Sequence, residues 1–259
     1  MTWALTKLFG LKVYIDELIN LYNQNKLPSK ILLSGNKGLG KSTLAYHLIN
    51  YVLSKNENLS YDIKNLEINA ENHAYKTILN GSNPNLILVD INSEKKSIDI
   101  NQIRELISNL NKSSFNNKPR FVLFDNIEFL NTNSINALLK VLEEPNNNIY
   151  FILINNNKNI LKTLLSRCIN FKIYLTNKES MAISNKLLNG KLKDTINNDL
   201  INYYVTPGIM LNLVKFAVRN KYDLLNLSLN ELLKIIIKEK HYKNDELIKY
   251  IFFDLIEFY

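Results

Sequence analysis

Short apolar runs alternate, over the first two thirds of the chain, with longer segments whose apolar residues recur every three or four positions. The runs SKILLSG (29–35), NLILVDI (85–91), RFVLFD (120–125), IYFILIN (149–155) and NFKIYL (170–175) read as buried strands by length and content. Between them, STLAYHLINYVLSK (42–55) carries Leu44, His47, Leu48 and Val52 at helical spacing. SIDINQIRELISNLN (97–111) sets Ile103, Leu106, Ile107 and Leu110 on one helical face, with Ser97 or Asp99 available as N-cap. NSINALLKVLEEP (133–145) is a third helix, stopped by Pro145, whose ring cannot continue the hydrogen-bond ladder. Strands alternating with helices predict an α/β fold, a parallel sheet covered on both faces. From Thr176 onward the pattern is helical alone, which predicts a separate all-α region over 176–259.

Composition narrows the class. The 259 residues are 46% hydrophobic and 22% charged, as expected of a soluble protein with a core. No apolar run reaches the ~18 to 20 residues a membrane span needs. The opening MTWALTKLFG lacks the apolar core of a leader peptide, so a cytoplasmic location is expected. The one cysteine, Cys168, excludes an internal disulfide framework and any multi-cysteine zinc site. A net charge of +8 supports two readings: a polyanionic partner such as nucleic acid, or Lys- and Asn-rich usage with lysines spread along the chain. His47, His73 and His241 are isolated and read as surface or packing residues; Tyr203, Tyr204, Phe252 and Phe253 read as core. Glu143 and Glu144, at the end of the third helix, receive no chemical role.

With only 7 glycines in the chain, three of them in GNKGLGKS (35–42) stand out. The segment matches G-x-x-x-x-G-K-[ST] in full, with a strand before it and a helix after it. Gly35, Gly38 and Gly40 let the backbone curl until successive N–H groups face phosphate oxygens. The helix beginning near Lys41 adds its positive N-terminal end. Lys41 reaches the β- and γ-phosphates, and Ser42 is set for Mg²⁺. Asp125, ending its strand, is either the Mg²⁺ partner or a cap for the next segment. The residue after it, where a hydrolase of this type needs an acid, is Asn126.

NSINALLKVLEEP, then FILINN, then LLSRCINF resemble the clamp-loader branch of AAA+ ATPases, and the triplet Ser166-Arg167-Cys168 is the most specific piece. LFGLKVYIDELINLYNQNKLPSKILLSG (8–35) is similar to the start of bacterial clamp-loader subunits. TPG at 206–208 looks like the opening of the lid motif in delta-prime subunits of DNA polymerase III. The resemblance runs from about residue 8 to 213. It implies a P-loop AAA+ domain over 1–175, a small helical lid over 176–218 and a short collar-like helical segment over 219–259.

It also implies roles. Gly35, Asn36, Lys37, Gly38, Leu39, Gly40, Lys41, Ser42 and Thr43 would cradle ATP, and Ser42 and Asp125 would hold Mg²⁺. Asn155, or its neighbour Asn156, would be the sensor at a strand end. Arg167 would be an arginine finger offered to the neighbouring subunit's nucleotide, a task suited to a planar, always charged fork. Arg104 either touches DNA phosphates or is a solvated arginine. Implied partners are gamma/tau and delta subunits, the sliding clamp and primed DNA, in a hetero-oligomer off the membrane.

Four departures from the family pattern qualify this, one being that the family's collar usually needs on the order of a hundred residues where about forty follow the expected lid. The acid after Asp125 is Asn126, and an amide orients water without acting as a base. The lid arginine of hydrolysing subunits has Gly208 near its expected position. The zinc module's cysteines are missing between residues 55 and 81, so no zinc is implied. The expectation is a delta-prime-like subunit that binds ATP and hydrolyses it poorly. Its rivals are a gamma/tau-type motor subunit and an AAA+ ATPase outside replication.

Overall fold

The computed structural model of the chain describes residues 5–91, 97–112, 116–144, 148–201, 205–245, 248 and 251–258. The chain forms two compact units, Met1–Asn36 with Gly40–Ile173, and Lys37–Leu39 with Tyr174–Tyr259.

The first unit runs α1 (Lys12–Asn23), β1 (Lys30–Ser34), α2 (Lys41–Leu53), α3 (His73–Leu79), β2 (Leu86–Val89), α4 (Ile100–Leu110), β3 (Arg120–Phe124), α5 (Thr132–Glu143), β4 (Ile149–Asn155), α6 (Lys162–Leu165) and β5 (Ile169–Lys172). The five strands form one sheet in the order β2-β3-β4-β1-β5. Every pairing is parallel, with Leu32 opposite Leu153 on one side and Asn170 on the other. Apolar runs at β1, β3 and β4 are buried on both faces, the mark of a covered parallel sheet.

Helix starts follow side-chain chemistry. Asp99, not Ser97, caps α4, accepting from the N–H groups of Asn101 and Gln102 while the Gln102 amide returns to the Asp99 N–H. Asn131 caps α5 through the Ser134 N–H. At the other end, α5 stops at Glu143, and Glu144 is extended, as the residue before a proline must be. The Arg120 guanidinium covers the carbonyls of Asn109, Leu110 and Lys112 at the end of α4. α2 departs from the one-faced helix that its spacing predicts. Lys41 and every residue from Thr43 to Leu53 are buried, so α2 is packed all round. His47 in its middle is fully buried between the Tyr61 hydroxyl, 2.9 Å from Nδ1, and the Leu5 carbonyl, 3.1 Å from Nε2. Cys168 is buried in the core between the sheet and α5.

The second unit is helical among its described residues: α7 (Asn177–Leu187), α8 (Asn198–Ile201), α9 (Pro207–Asn220), α10 (Leu229–Lys238), α11 (His241–Asn244) and α12 (Phe252–Phe258). Thr176 with Glu179, and Ser228 with Glu231, form capping boxes at α7 and α10. One core holds Leu192, Met210, Phe216, Leu232, Ile248 and Leu255 together. Phe252 belongs to that core, but Phe253, expected to be core as well, is 69% exposed. Consecutive residues on a helix point about 100° apart, so a one-sided core takes one of the pair. Tyr203 and Tyr204 lie outside the described residues.

Candidate functional site

The segment 35–42 leaves the carboxyl end of β1 and enters α2. Gly38 and Gly40 have φ of +83° and +87°, values that L side chains resist, and Gly40 is the N-cap of α2. Lys41 is buried, and its ammonium donates to the carbonyls of Gly35 and Asn36, each at 2.7 Å. Ser42 Oγ donates to Asp125 Oδ2 at 2.8 Å. Asp125 follows β3, and its N–H is held by the Val89 carbonyl. Thr43 and Leu39 are buried. Asn157 donates to Asn36 Oδ1 at 3.1 Å.

Lys37–Leu39, at the tip of the segment, group with the second unit. There, Thr206 Oγ1 donates to the Lys37 carbonyl at 2.6 Å, and the Gly208 N–H donates to the Gly38 carbonyl at 2.9 Å. A Cβ at Gly208 would stand 2.7 Å from Gly38 Cα, so backbone packs on backbone and no side chain fits. Glycine at 208 therefore has a steric reason of its own, which sequence spacing alone does not reveal.

These donors fit a triphosphate and its metal. A buried ammonium at the start of a helix that follows a glycine-rich loop is matched to phosphate oxygens. Ser42 and Asp125 are hard oxygen donors, joined to each other and suited to Mg²⁺, which is commonly held by one or two protein oxygens plus substrate phosphates. The Asp125 carboxyl is raised from an ordinary 3.8 to about 6, first by burial and then by the negative charges of Asp90 and Glu128; the Ser42 hydrogen bond and Lys41 pull the other way. An ionised Asp125 is thus under-compensated, the state a cation relieves.

Asn126 is left-handed, with φ 63° and ψ 58°. Its amide donates to Asp90 Oδ1 at 3.0 Å and accepts from Asn156 Nδ2 at 2.8 Å. Asn156 Nδ2 also donates to Glu128 Oε1 at 2.8 Å. Asn155 is buried at the end of β4, and its amide closes on the Lys158 backbone, both donating and accepting. Of the two sensor candidates, Asn156 is the one wired to the residue after Asp125. Glu128, three positions beyond Asp125, falls outside the usual motif, so sequence reasoning missed it.

Arg167 lies elsewhere. Ile169 pairs with Ile31 at the start of β1, and Lys172 pairs with Ser34 at its end. Arg167 precedes Ile169 and so sits at the amino edge of the sheet, whereas Gly35 sits at the carboxyl edge. Four strand steps, about 13 Å, separate the levels of Ile169 and Gly35. An arginine side chain does not cover that distance together with the turn before β5. Arg104 is exposed on α4, in an open groove that also takes Asn133, Asn136 and Lys140 of α5, over a floor including Ile107 and Ala137. Lys140 was not anticipated; only the packing of α4 on α5 brings it to Arg104.

A family model described as DNA polymerase III, delta subunit, matches residues 10–177. The chain is 31% identical over 176 residues to DNA polymerase III subunit gamma of Buchnera aphidicola subsp. Schizaphis graminum, covering 68% of this chain and 46% of that one. It is 33% identical over 162 residues to DNA polymerase III subunit delta' of Buchnera aphidicola subsp. Baizongia pistaciae, covering 60% and 47%. It thus spans about half the length of either relative. In fold it is similar to the RuvB Holliday junction branch migration motor of Thermotoga maritima, with a TM-score of 0.50 at 18% identity over 93% of this chain and 81% of that one.

The raised Asp125 carboxyl has a stability signature. The folded chain holds that proton up to about pH 6, the unfolded chain only to about 3.8. Stability is therefore lost as pH rises through this window, and the full penalty is present above it. Asp125→Asn keeps an acceptor for Ser42 and carries no charge. It should be more stable than wild type at pH 7.5 by on the order of 2 kcal/mol, with the gap closing toward pH 4. Buried His47, lowered to about 4 by burial, acts in the opposite direction over nearly the same range, so the difference between variants is the quantity to measure. Urea denaturation of both proteins at pH 4.5, 6 and 7.5 checks this; a pH-independent difference contradicts it.

Proposed function

The chain belongs to the DNA polymerase III delta-subunit family, and on that premise we propose that it is a delta-prime-like clamp-loader subunit that binds Mg-ATP, hydrolyses it poorly and lends Arg167 to a neighbour. One observation carries the reading. Lys41, Ser42 and Asp125 stand together in the loop after β1 and at the end of β3, as phosphate and Mg²⁺ binding would require, while the position after Asp125 holds an amide already committed to Asp90 and Asn156. Binding needs the first group of residues. Hydrolysis needs a base, which an amide cannot be.

Arg167 acts in trans in this reading, because its own phosphate loop lies at the opposite edge of the sheet. The neighbour is a gamma/tau-type subunit of the same cytoplasmic assembly, which also includes a delta-type subunit and acts on the sliding clamp. Arg104 and Lys140 offer two cations to the phosphates of primed DNA, without base readout. A gamma/tau-type motor is the second reading. It draws on Glu128, a carboxylate hydrogen-bonded to Asn156 beside the site, and on the gamma-named relatives.

Three outcomes follow. Isothermal calorimetry should detect Mg-ATP binding, and Lys41→Ala should weaken it by roughly 1.5 to 3 kcal/mol, the worth of a hydrogen bond to a charged group. Equal affinity in both proteins contradicts the phosphate-loop reading. The isolated chain should turn ATP over near background; a rate of about one per second, in the low enzyme range, favours the motor reading. In the assembled complex with primed DNA, Arg167→Ala should lower ATP turnover about tenfold, less than the ~10³ to 10⁵ of an isolated finger because other sites in the ring keep theirs. Its own ATP affinity should be unchanged. Wild-type turnover in that complex removes the finger.

A further inference from the structure

Arg167 is held in a defined pose. Its Nε donates to Glu143 Oε1 at 3.1 Å, its Nη2 donates to the same oxygen, and its Nη1 donates to the Thr163 carbonyl at 2.7 Å. Ser166 Oγ donates to that carbonyl too, at 3.0 Å, so two neighbouring side chains share one acceptor. Glu143 is the last residue of α5, and Arg167 follows α6, so the pair ties two helix ends together at the amino edge of the sheet.

The pattern of donors is selective. A guanidinium carries five N–H groups, and three are engaged here. Glu143 takes the side edge, Nε with one Nη2 hydrogen, through a single oxygen. The other Nη2 hydrogen points along the long axis of the side chain, away from Glu143. Both partners remain partly exposed, Arg167 by 31% and Glu143 by 54% of the side chain. Pairs this exposed add little to folding stability. What Glu143 does supply is orientation: a long, flexible arginine loses its rotamer freedom before any partner arrives.

We propose that Glu143 is a positioning residue for Arg167, gripping the guanidinium by its side edge so that its outer end is presented to a phosphate oxygen of the neighbouring subunit's nucleotide. The proposal rests on the reading of Arg167 as a finger in trans. Only an oxygen at that point is required, because both bonds go to one atom. An amide should therefore substitute for the carboxylate.

The test uses the clamp loader assembled from this chain and its gamma- and delta-type partners, with primed DNA, after size-exclusion chromatography has established equal assembly. Glu143→Ala should lower the kcat of ATP turnover about threefold with KM unchanged, since misplacing a group in the transition state costs rate. Glu143→Gln should keep wild-type kcat, because its amide oxygen accepts from Nε and Nη2. Glu143→Ala with Arg167→Ala should be no slower than Arg167→Ala alone, as expected for residues acting through one group. Wild-type or faster turnover in Glu143→Ala, alongside a loss in Arg167→Ala, overturns the positioning role and leaves the finger standing. A loss in Glu143→Gln equal to that in Glu143→Ala also overturns it. Wild-type turnover in Arg167→Ala overturns both.

Discussion

Because β1 pairs in parallel with both β4 and β5, every strand of this sheet delivers its following loop to one edge and receives its preceding segment at the other. The phosphate loop, Asp125 and Asn156 follow β1, β3 and β4, so they gather at the carboxyl edge, where ligands of open parallel sheets bind. Glu143 and Arg167 precede β4 and β5, so they gather at the amino edge. No side-chain adjustment could bring Arg167 to its own loop without breaking the register of Ile31 on Ile169. The separation of the edge that carries the 35–42 loop from the edge that carries Arg167 is thus fixed by backbone pairing.

At the carboxyl edge the chemistry works against folding. Lys41 is buried and satisfied by carbonyls, while the half-buried Asp125 has its carboxyl raised to about 6 by desolvation and by the charges of Asp90 and Glu128. α2, buried from Thr43 to Leu53, anchors both Lys41 and Ser42 at its first turn. Burial of this kind is tolerated where a bound cation or polyanion compensates it. The amino edge is the reverse case: its Glu143–Arg167 pair is half exposed, contributes little to stability, and its value lies in where it leaves a charge.

Much of this could be read from the chain. Three strands, β1, β3 and β4, fill most of their apolar runs, because a strand covered on both faces admits little that is polar until it ends, whereas the largely exposed β5 starts one residue before its run and stops three short of its end. The loop between β1 and α2 was legible because its curl needs glycines at fixed steps, with positive φ at Gly38 and Gly40. What escaped were contacts between residues distant in sequence. Lys140 joins Arg104 only because α5 packs on α4, and Gly208 meets Gly38 across more than half the chain. Glu143 reaches Arg167 across an intervening strand. Sequence reasoning saw a missing arginine at Gly208; the contact supplies a steric cause. The different partners of Asn155 and Asn156 were also not visible in the chain, since neighbouring amides at a strand end point opposite ways.

Asn126 shows how one substitution answers two constraints at once. Read as sequence, it is a lost acid, and restoring glutamate there would be expected to recover some hydrolysis. Its backbone, however, is left-handed, a conformation asparagine tolerates and longer side chains resist. Its amide also gives a hydrogen to Asp90 and takes one from Asn156. A carboxylate in its place could accept from Asn156 but would meet Asp90 with like charge, and would raise the burden on Asp125, which already lies close to two acids. The residue is therefore built into the loop by its backbone and by both ends of its amide. The same loop carries Glu128 on its far side, within hydrogen-bond distance of Asn156. Asn156 thus bridges Asn126 and Glu128, so the segment after β3 is tied to the end of β4 through one amide nitrogen.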